Sequence, residues 1–323
     1  SDAKLAVNAN SSGTGAWTLH VADAGTGGRV GATLDAASVQ GKPAVTYWDR
    51  DLHRVFFARN ASADGSGSWT IAPVADGEES SGSYPCPLAV VNGVPMVVLR
   101  GRDTPLLLAR NTAADGSGAW VTNAVPVVGS SIGWYDLADV AGRPAVAYRT
   151  MSGVRFARAA NADGTGAWAD VSLQEIEQFA SLEARVRLVV VAGVPVVSHY
   201  DEDNTELRQH SNALPDGTGA WTSSTVHSAN NAGLHATVAE IAGLPFHASY
   251  QDVESLPGLL VAYRGRAING PFDATPVIAS SVNDFPSGLS LAEVAGFPSV
   301  TGYDPVNQDL VRWTNANPTG AVA

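Results

Sequence analysis

The sequence predicts an all-β protein, a single six-bladed β-propeller with four antiparallel strands per blade. Three observations predict it. A phrase ending in an aromatic residue recurs along the whole chain: SSGTGAW to Trp17, ADGSGSW to Trp69, AADGSGAW to Trp120, ADGTGAW to Trp168, PDGTGAW to Trp221 and the broken copy AINGPF to Phe272. The intervals are 52, 51, 48, 53 and 51 residues, and an internal repeat of that length fixes the architecture before any other feature. A Gly-x-Pro turn recurs six times, at Gly41, Gly93, Gly142, Gly193, Gly243 and Gly296. The composition is that of strands and turns, with 33 Gly, 18 Pro and only 15% charged residues in 323.

Each unit reads in the same order. A first apolar run, such as LAVVNG from Leu88, LADVAG from Leu137, LVVVAG from Leu188, VAEIAG from Val238 or LAEVAG from Leu291, leads into the Gly-x-Pro turn. A second run follows, such as PAVTYWD from Pro43 or PVVSHYD from Pro195. A third is rich in Arg and large apolar residues, such as RVFFARN from Arg54 and LLLARN from Leu106. The Asp-Gly turn then leads to a fourth strand that opens with the Trp. These runs are short, β-branched and bounded by turn residues, which suits strands and not helices. The segment SLQEIEQFASLEARVR around Gln174 reads as an enlarged loop between blades with room for a helical turn. The chain starts on a third strand (KLAVNAN from Lys4) and ends on another (DLVRWTNAN from Asp309). The Trp17 strand is therefore expected to complete the last blade and close the ring, which removes free strand edges. One domain over residues 1–323 is the expectation.

Several function classes are disfavoured by composition. A net charge of -12 opposes binding to nucleic acid or anionic membrane. No apolar run reaches the length of a membrane span. Cys86 is the only cysteine, so no intrachain disulfide and no cysteine zinc site forms; it reads as a small buried hydrophobe. Phosphate loops, Gly-x-Ser-x-Gly elbows and dinucleotide fingerprints do not occur. No cofactor is expected. A Ca²⁺ loop needs more oxygen ligands than one Asp per turn supplies, although Ca²⁺ or another divalent metal stays open. Composition suits a secreted bacterial protein, extracellular or periplasmic, working as a monomer.

The turn phrase resembles the Asp-box of sialidase-like propellers, Ser/Thr-x-Asp-x-Gly-x-x-Trp, which lies between the third and fourth strands of a blade. Ser62, Asp64 and Trp69 match it, and Asp115, Asp163 and Asp216 keep the same spacing to their Trp; the glycine falls one place late, at Gly67. The resemblance implies the fold, with structural turns far from the active site. The Phe-Arg-Ile-Pro signature of bacterial sialidases is absent. On this reading the Asp caps turn amides, the Gly takes a positive φ and the Trp plugs the space between blades.

Function is sought where the repeats disagree. The second strands end in Tyr47-Trp48-Asp49, Leu99-Arg100-Gly101, Tyr148-Arg149-Thr150, His199-Tyr200-Asp201, Ser249-Tyr250-Gln251 and Gly302-Tyr303-Asp304. The first strands begin with Thr33/Asp35, Pro85/Pro87, Trp134/Asp136, Arg185/Arg187, His235/Thr237 and Gly288/Ser290. A multivalent lectin would repeat its contacts, so this variety points to one composite site at the mouth of the channel. Tyr200, Asp201, Tyr148, Asp136 and His199 are the candidates for acid–base or nucleophilic work. Arg100, Arg149, Arg185 and Arg187 suit an anionic group, and Trp48, Tyr47, Trp134, Tyr250, Tyr303 and His235 suit a sugar ring or its polar edge. The sequence reading is a carbohydrate-active hydrolase or lyase for an anionic sugar or related ester. The alternative is a non-catalytic glycan- or protein-binding propeller. His247 stands where the other blades carry Val45, Val97, Val146, Val197 and Val300. A hydrogen-bonded structural His is the favoured reading there, with a metal-ligating role beside His199 or His235 as the other.

Overall fold

A computed structural model describes residues 2–25, 30–77, 85–102, 105–129, 133–177, 185–229, 232–251, 258–273, 276, 278–282, 287–304, 307 and 309–315. All regular elements among them are strands. The first two, β1 (Ala3–Asn8) and β2 (Trp17–Asp23), form a two-stranded sheet. Four strands follow in one sheet, β3 (Val30–Val39), β4 (Lys42–Asp49), β5 (Arg54–Asn60) and β6 (Trp69–Asp76). The next sheet holds β7 (Leu88–Val91), β8 (Val94–Leu99), β9 (Leu106–Asn111) and β10 (Trp120–Val125). The third holds β11 (Tyr135–Val140), β12 (Arg143–Thr150), β13 (Gly153–Ala159) and β14 (Trp168–Glu175). The fourth holds β15 (Val186–Val191), β16 (Val194–Asp201), β17 (Glu206–Asn212) and β18 (Trp221–His227). The fifth holds β19 (Ala232–Ile241), β20 (Leu244–Gln251), β21 (Gly258–Arg264) and β22 (Ile278–Val282). The last has three strands, β23 (Ser287–Val294), β24 (Phe297–Asp304) and β25 (Asp309–Thr314).

This is the strand inventory of a six-bladed β-propeller, as the repeat predicts. The last sheet has three strands, and the N-terminal sheet, whose β2 opens on Trp17, has two. The segment around Gln174 begins as strand through Glu175; residues 178–184 of it lie outside the described residues. The chain divides into two compact units, one of Ser1–Val146 with Ala157–Val171, the other of Ala147–Phe156 with Ser172–Ala323.

Within the first unit the second strands are almost wholly buried, Ala44 to Asp49 on β4 and Pro95 to Leu99 on β8. Their side chains fill the layer between neighbouring sheets, with Val55, Phe57, Val97 and Leu99 in one cluster. Cys86 joins it, buried, its thiol pushed up to about 12 by burial first; a thiol held that far from ionisation is a packing residue.

The repeated phrase builds the clasp between successive sheets. Asn111, the last residue of β9, donates from Nδ2 to the carbonyls of Gly116 (3.1 Å) and Gly118 (2.9 Å), and its Oδ1 accepts from the amides of Ala113 (2.9 Å) and Gly118 (3.0 Å). Asn60 and Asn212 make the same four bonds in their turns. The Asp contributes less, since Asp115 Oδ1 accepts only from the amide and hydroxyl of Ser117, at 3.0 and 2.7 Å. Gly116 has φ +80°, and a methyl there would strike the Phe57 ring of the preceding sheet. Gly217 bears likewise on Phe156, Gly164 on Leu108 and Gly65 on Leu5 and Val7. The Trp rings pack on the same surfaces, Trp120 at 5.3 Å from Phe57 and Trp221 at 4.9 Å from Phe156.

Candidate functional site

The predicted residues fall in both units, and each unit builds its own arrangement. In the first unit Tyr47, at the end of β4, is buried; its hydroxyl donates to Asp23 Oδ2 at 2.6 Å and its ring stacks on Phe56. Burial first, then Asp23, raises that hydroxyl above its usual range. Trp48 is buried against Gly77, where a methyl would strike its ring, and meets His53 edge-on at 6.4 Å. Asp49 caps the following turn through the amides of Asp51 and Leu52. Arg100 and Trp134 are half-buried. Asp136 is buried and accepts from the Leu137 amide at 3.0 Å.

The second unit gathers more of them. Arg149, at the end of β12, is buried; Nη2 donates to Glu202 Oε2 at 2.6 Å and Nη1 to the Tyr200 carbonyl at 3.2 Å. Burial pulls the guanidinium down and Glu202 holds it up. Asp201 is fully buried and receives Gln174 Nε2 (2.6 Å), Asn204 Nδ2 (2.9 Å) and the Asp203 amide (3.2 Å), with Arg208 Nε at 3.5 Å. Tyr148 is buried as well. His199 Nδ1 lies 2.9 Å from the Tyr200 carbonyl and so carries the proton; its bare Nε2 accepts from His210 Nε2 at 3.0 Å. Both imidazoles are pushed down to about 3, burial being the main cause, and stay neutral. Tyr200 packs with Leu234 and Tyr250, and burial first raises its hydroxyl.

His235 is the conformational outlier of this group. The ladder between β19 and β20 breaks from Leu234↔Tyr250 to Thr237↔Ala248, so His235 lies in a bulge. Its φ is +53°, a left-handed backbone that costs a residue with a side chain about 1–2 kcal/mol. The corresponding place on β23 is Gly288, φ +73°. His235 is buried, and burial first, then Arg185, pushes its imidazole down to about 4. Arg185 and Arg187 are half-buried at the start of β15. Tyr303 is the outlying candidate, 41% exposed on β24. Glu202, His210, Gln174 and Arg208 take part here without having been singled out by sequence. His210 had a signal: Ala58, Ala109 and Ala157 hold its slot on β5, β9 and β13.

His247 is fully buried; Nδ1 lies 3.0 Å from Ser198 Oγ and Nε2 2.7 Å from Gln209 Oε1. Its hydrogen-bonding capacity is met by these two partners, and with Ser198 and Gln209 fully buried too, the trio has no access for a substrate. Among the described residues no three His, Cys, Asp or Glu side chains gather as a metal site, and no helix is long and apolar enough to cross a membrane.

The class these features define is the β-propeller with degenerate turn repeats. No family model matches the chain and no curated protein sequence matches it. Solved structures resemble it as a fold. A variant of AofleA from Arthrobotrys oligospora with three arginines replaced by alanine has a TM-score of 0.56 at 14% identity, over 87% of this chain and 82% of its own. The NanB sialidase from Streptococcus pneumoniae has a TM-score of 0.56 at 9% identity over 91% of this chain; the match spans 66% of the sialidase. A protein from Bacteroides uniformis has a TM-score of 0.56 at 12% identity, over 93% and 88%.

Proposed function

We propose that the protein is a carbohydrate-active propeller that takes an anionic sugar through one site in its second unit, and that it works by binding. The observation that carries this reading is His235, held left-handed in a bulge beside Arg185. A backbone outlier persists where the surroundings over-determine it, and such places cluster at ligand sites. A guanidinium beside a neutral imidazole presents donors to a carboxylate or sulfate, and Leu234 and Tyr250 of the same strand pair pack with Tyr200 of β16 next to it. The sialidase named above gives the sugar reading an analogy of fold.

Binding is preferred to turnover because the polar atoms of the two acid–base candidates Asp201 and His199 are already engaged. Asp201 is occupied by Gln174, Asn204 and Arg208 and His199 by His210, so neither offers a proton to a substrate. The variety of strand ends is the observation that favours a hydrolase or lyase as the second reading. An array of neutral, uronate and sulfated glycans, run beside chromogenic glycosides and esters, decides between them. Saturable binding of acidic glycans without turnover is expected. Arg185→Ala weakens that binding by roughly ten- to a hundred-fold. His235→Gly weakens it too, while raising the melting temperature, because glycine adopts this backbone without cost. Turnover of any glycoside or ester in the panel overturns the binding reading, and equal affinity for neutral glycans overturns the anionic site.

A further inference from the structure

Four turn clasps of the described residues seat on apolar side chains: Gly65 on Leu5 and Val7, Gly116 on Phe57, Gly164 on Leu108, Gly217 on Phe156. The turn from Ala267 to Phe272 seats differently. The place of Phe57, Leu108 and Phe156 is taken on β17 by Gln209, whose Nε2 donates to the Ile268 carbonyl at 2.5 Å. Ser211 Oγ bonds Asn269 Oδ1, and Ser224 Oγ donates to the Asn269 carbonyl at 2.8 Å. Gln209 can aim its Nε2 at the turn only because its Oε1 is held by His247 Nε2, and the ring is held in turn by Ser198. The His247 ring meets Phe272 edge-on at 5.3 Å. One residue along from Ser198 and Gln209 stand His199 and His210, stacked at 5.1 Å and sharing their own hydrogen bond.

We infer that this seat is an acid-released joint: neutral His247 closes it, and protonation frees the Ala267–Phe272 turn while the apolar seats keep theirs. With Nε2–H given to Gln209, a second proton on His247 Nδ1 displaces the Ser198 hydroxyl from its donor role and places a charge in a fully buried site. His199 and His210, one residue along on the same strands, face the other side of the sheet and take no part. The release is local. Leu207 and Val226 pack with Ala236, Val261 and Tyr263, with Phe272 at the edge of the same cluster, so the two sheets keep an apolar contact when the turn opens.

The charged and titratable surroundings do not oppose the proton's effect. Tyr263 faces His247 across the β20–β21 ladder, its hydroxyl raised by burial, and His227 stacks on Tyr263 at 4.5 Å. Asp273 pairs with Arg264 at 3.0 Å and Arg266 at 2.7 Å beside the turn. Burial pushes the His247 ring down to about 3 in the closed state, against about 6.5 when solvated. The closed state is therefore fully favoured above pH 6.5 and loses ground as pH falls from there towards 3. Between pH 7 and 5 the opening constant rises about twenty-fold when the His247 imidazole gains solvent on opening.

Amide hydrogen exchange on the full chain at pH 7.5 and 5.0, each referred to unstructured-peptide rates, tests the joint. Protection over 265–272 is expected to fall by at least about ten-fold, while the turns at 113–118, 161–166 and 214–219 keep theirs. His247→Gln, which can give and accept the same bonds without charging, is expected to lose most of the response. The inference is overturned if 265–272 changes no more than the other turns, or if the variant keeps the whole response. If the variant does not fold, ring ¹⁵N shifts of the unmodified chain give the answer. Release that coincides with protonation of the His247 ring supports the joint, and release while it stays neutral overturns it.

Discussion

The Gly116 seat and the Ala267–Phe272 seat do the same job with opposite chemistry. The first lays a glycine on the face of Phe57 and adds Trp120 at its edge. The second uses a relay from Ser198 through His247 and Gln209 to the Ile268 carbonyl, beside the bonds of Ser211 and Ser224 to Asn269. An apolar seat tolerates any pH and any proton count, because nothing in it titrates. A polar seat in the interior is only as good as its last satisfied atom. The same contrast runs through the two units. The first keeps its described histidines, His20 and His53, half-buried, whereas the second buries His199, His210, His235 and His247.

The comparison can be broken at several points. The largest expected effect is Arg149→Ala, which strands Glu202 in the interior and costs about 3–5 kcal/mol in denaturant unfolding. If the loss is under about 1 kcal/mol, the polar interior of the second unit is not the liability described above. Gly116→Ala comes next, at about 2–4 kcal/mol, since alanine must take a left-handed backbone and overpack against Phe57; Gly41→Ala, with a similar φ of +72° and open space around it, isolates the backbone share. Asn111→Ala leaves turn carbonyls and amides without their partner and costs about 2–3 kcal/mol. The smallest effect is Asp115→Asn. Its carboxylate lies at the surface, lowered by the Ser117 hydroxyl first and the Ser117 amide next, and thermal melting at pH 7 is expected not to move.

That last pair shows where the sequence was legible and where it was misread. The repeat identified the sheets and the turns, because every blade spends the same residues on them. The Asp-Gly letters drew attention to the Asp, yet the Asn nine places before each Trp organises the loop. Asn8, Asn60, Asn111 and Asn212 were readable at a fixed spacing, but only as third-strand ends until the bonds to the turn were visible. Blade three departs, with Ala159 in the slot and Asn161 bonded to Thr165 instead. The strand ends were legible as a set of unlike residues and not as a site. Tyr148, His199, Asp201 and Arg149 have the side chains of chemistry, but sequence alone cannot tell a buried carboxylate with three donors from one that faces a ligand. His247 could be recognised as displaced from a valine slot. Its partners, Ser198 and Gln209, lie 49 and 38 residues away, and Gln209 acquires meaning only as the replacement for Phe57, Leu108 and Phe156.

Each clasp reaches backwards. Gly65 needs Leu5 and Val7, Gly116 needs Phe57, Gly164 needs Leu108 and Gly217 needs Phe156, and in every case the surface that receives the turn is earlier in the chain. A nascent polypeptide leaving the ribosome therefore presents each new turn to a landing place already synthesised, and assembly can advance one repeat at a time by nearest-neighbour contacts. The short β1–β2 hairpin is the landing place of the Gly65 turn, which bears on Leu5 and Val7 of its first strand.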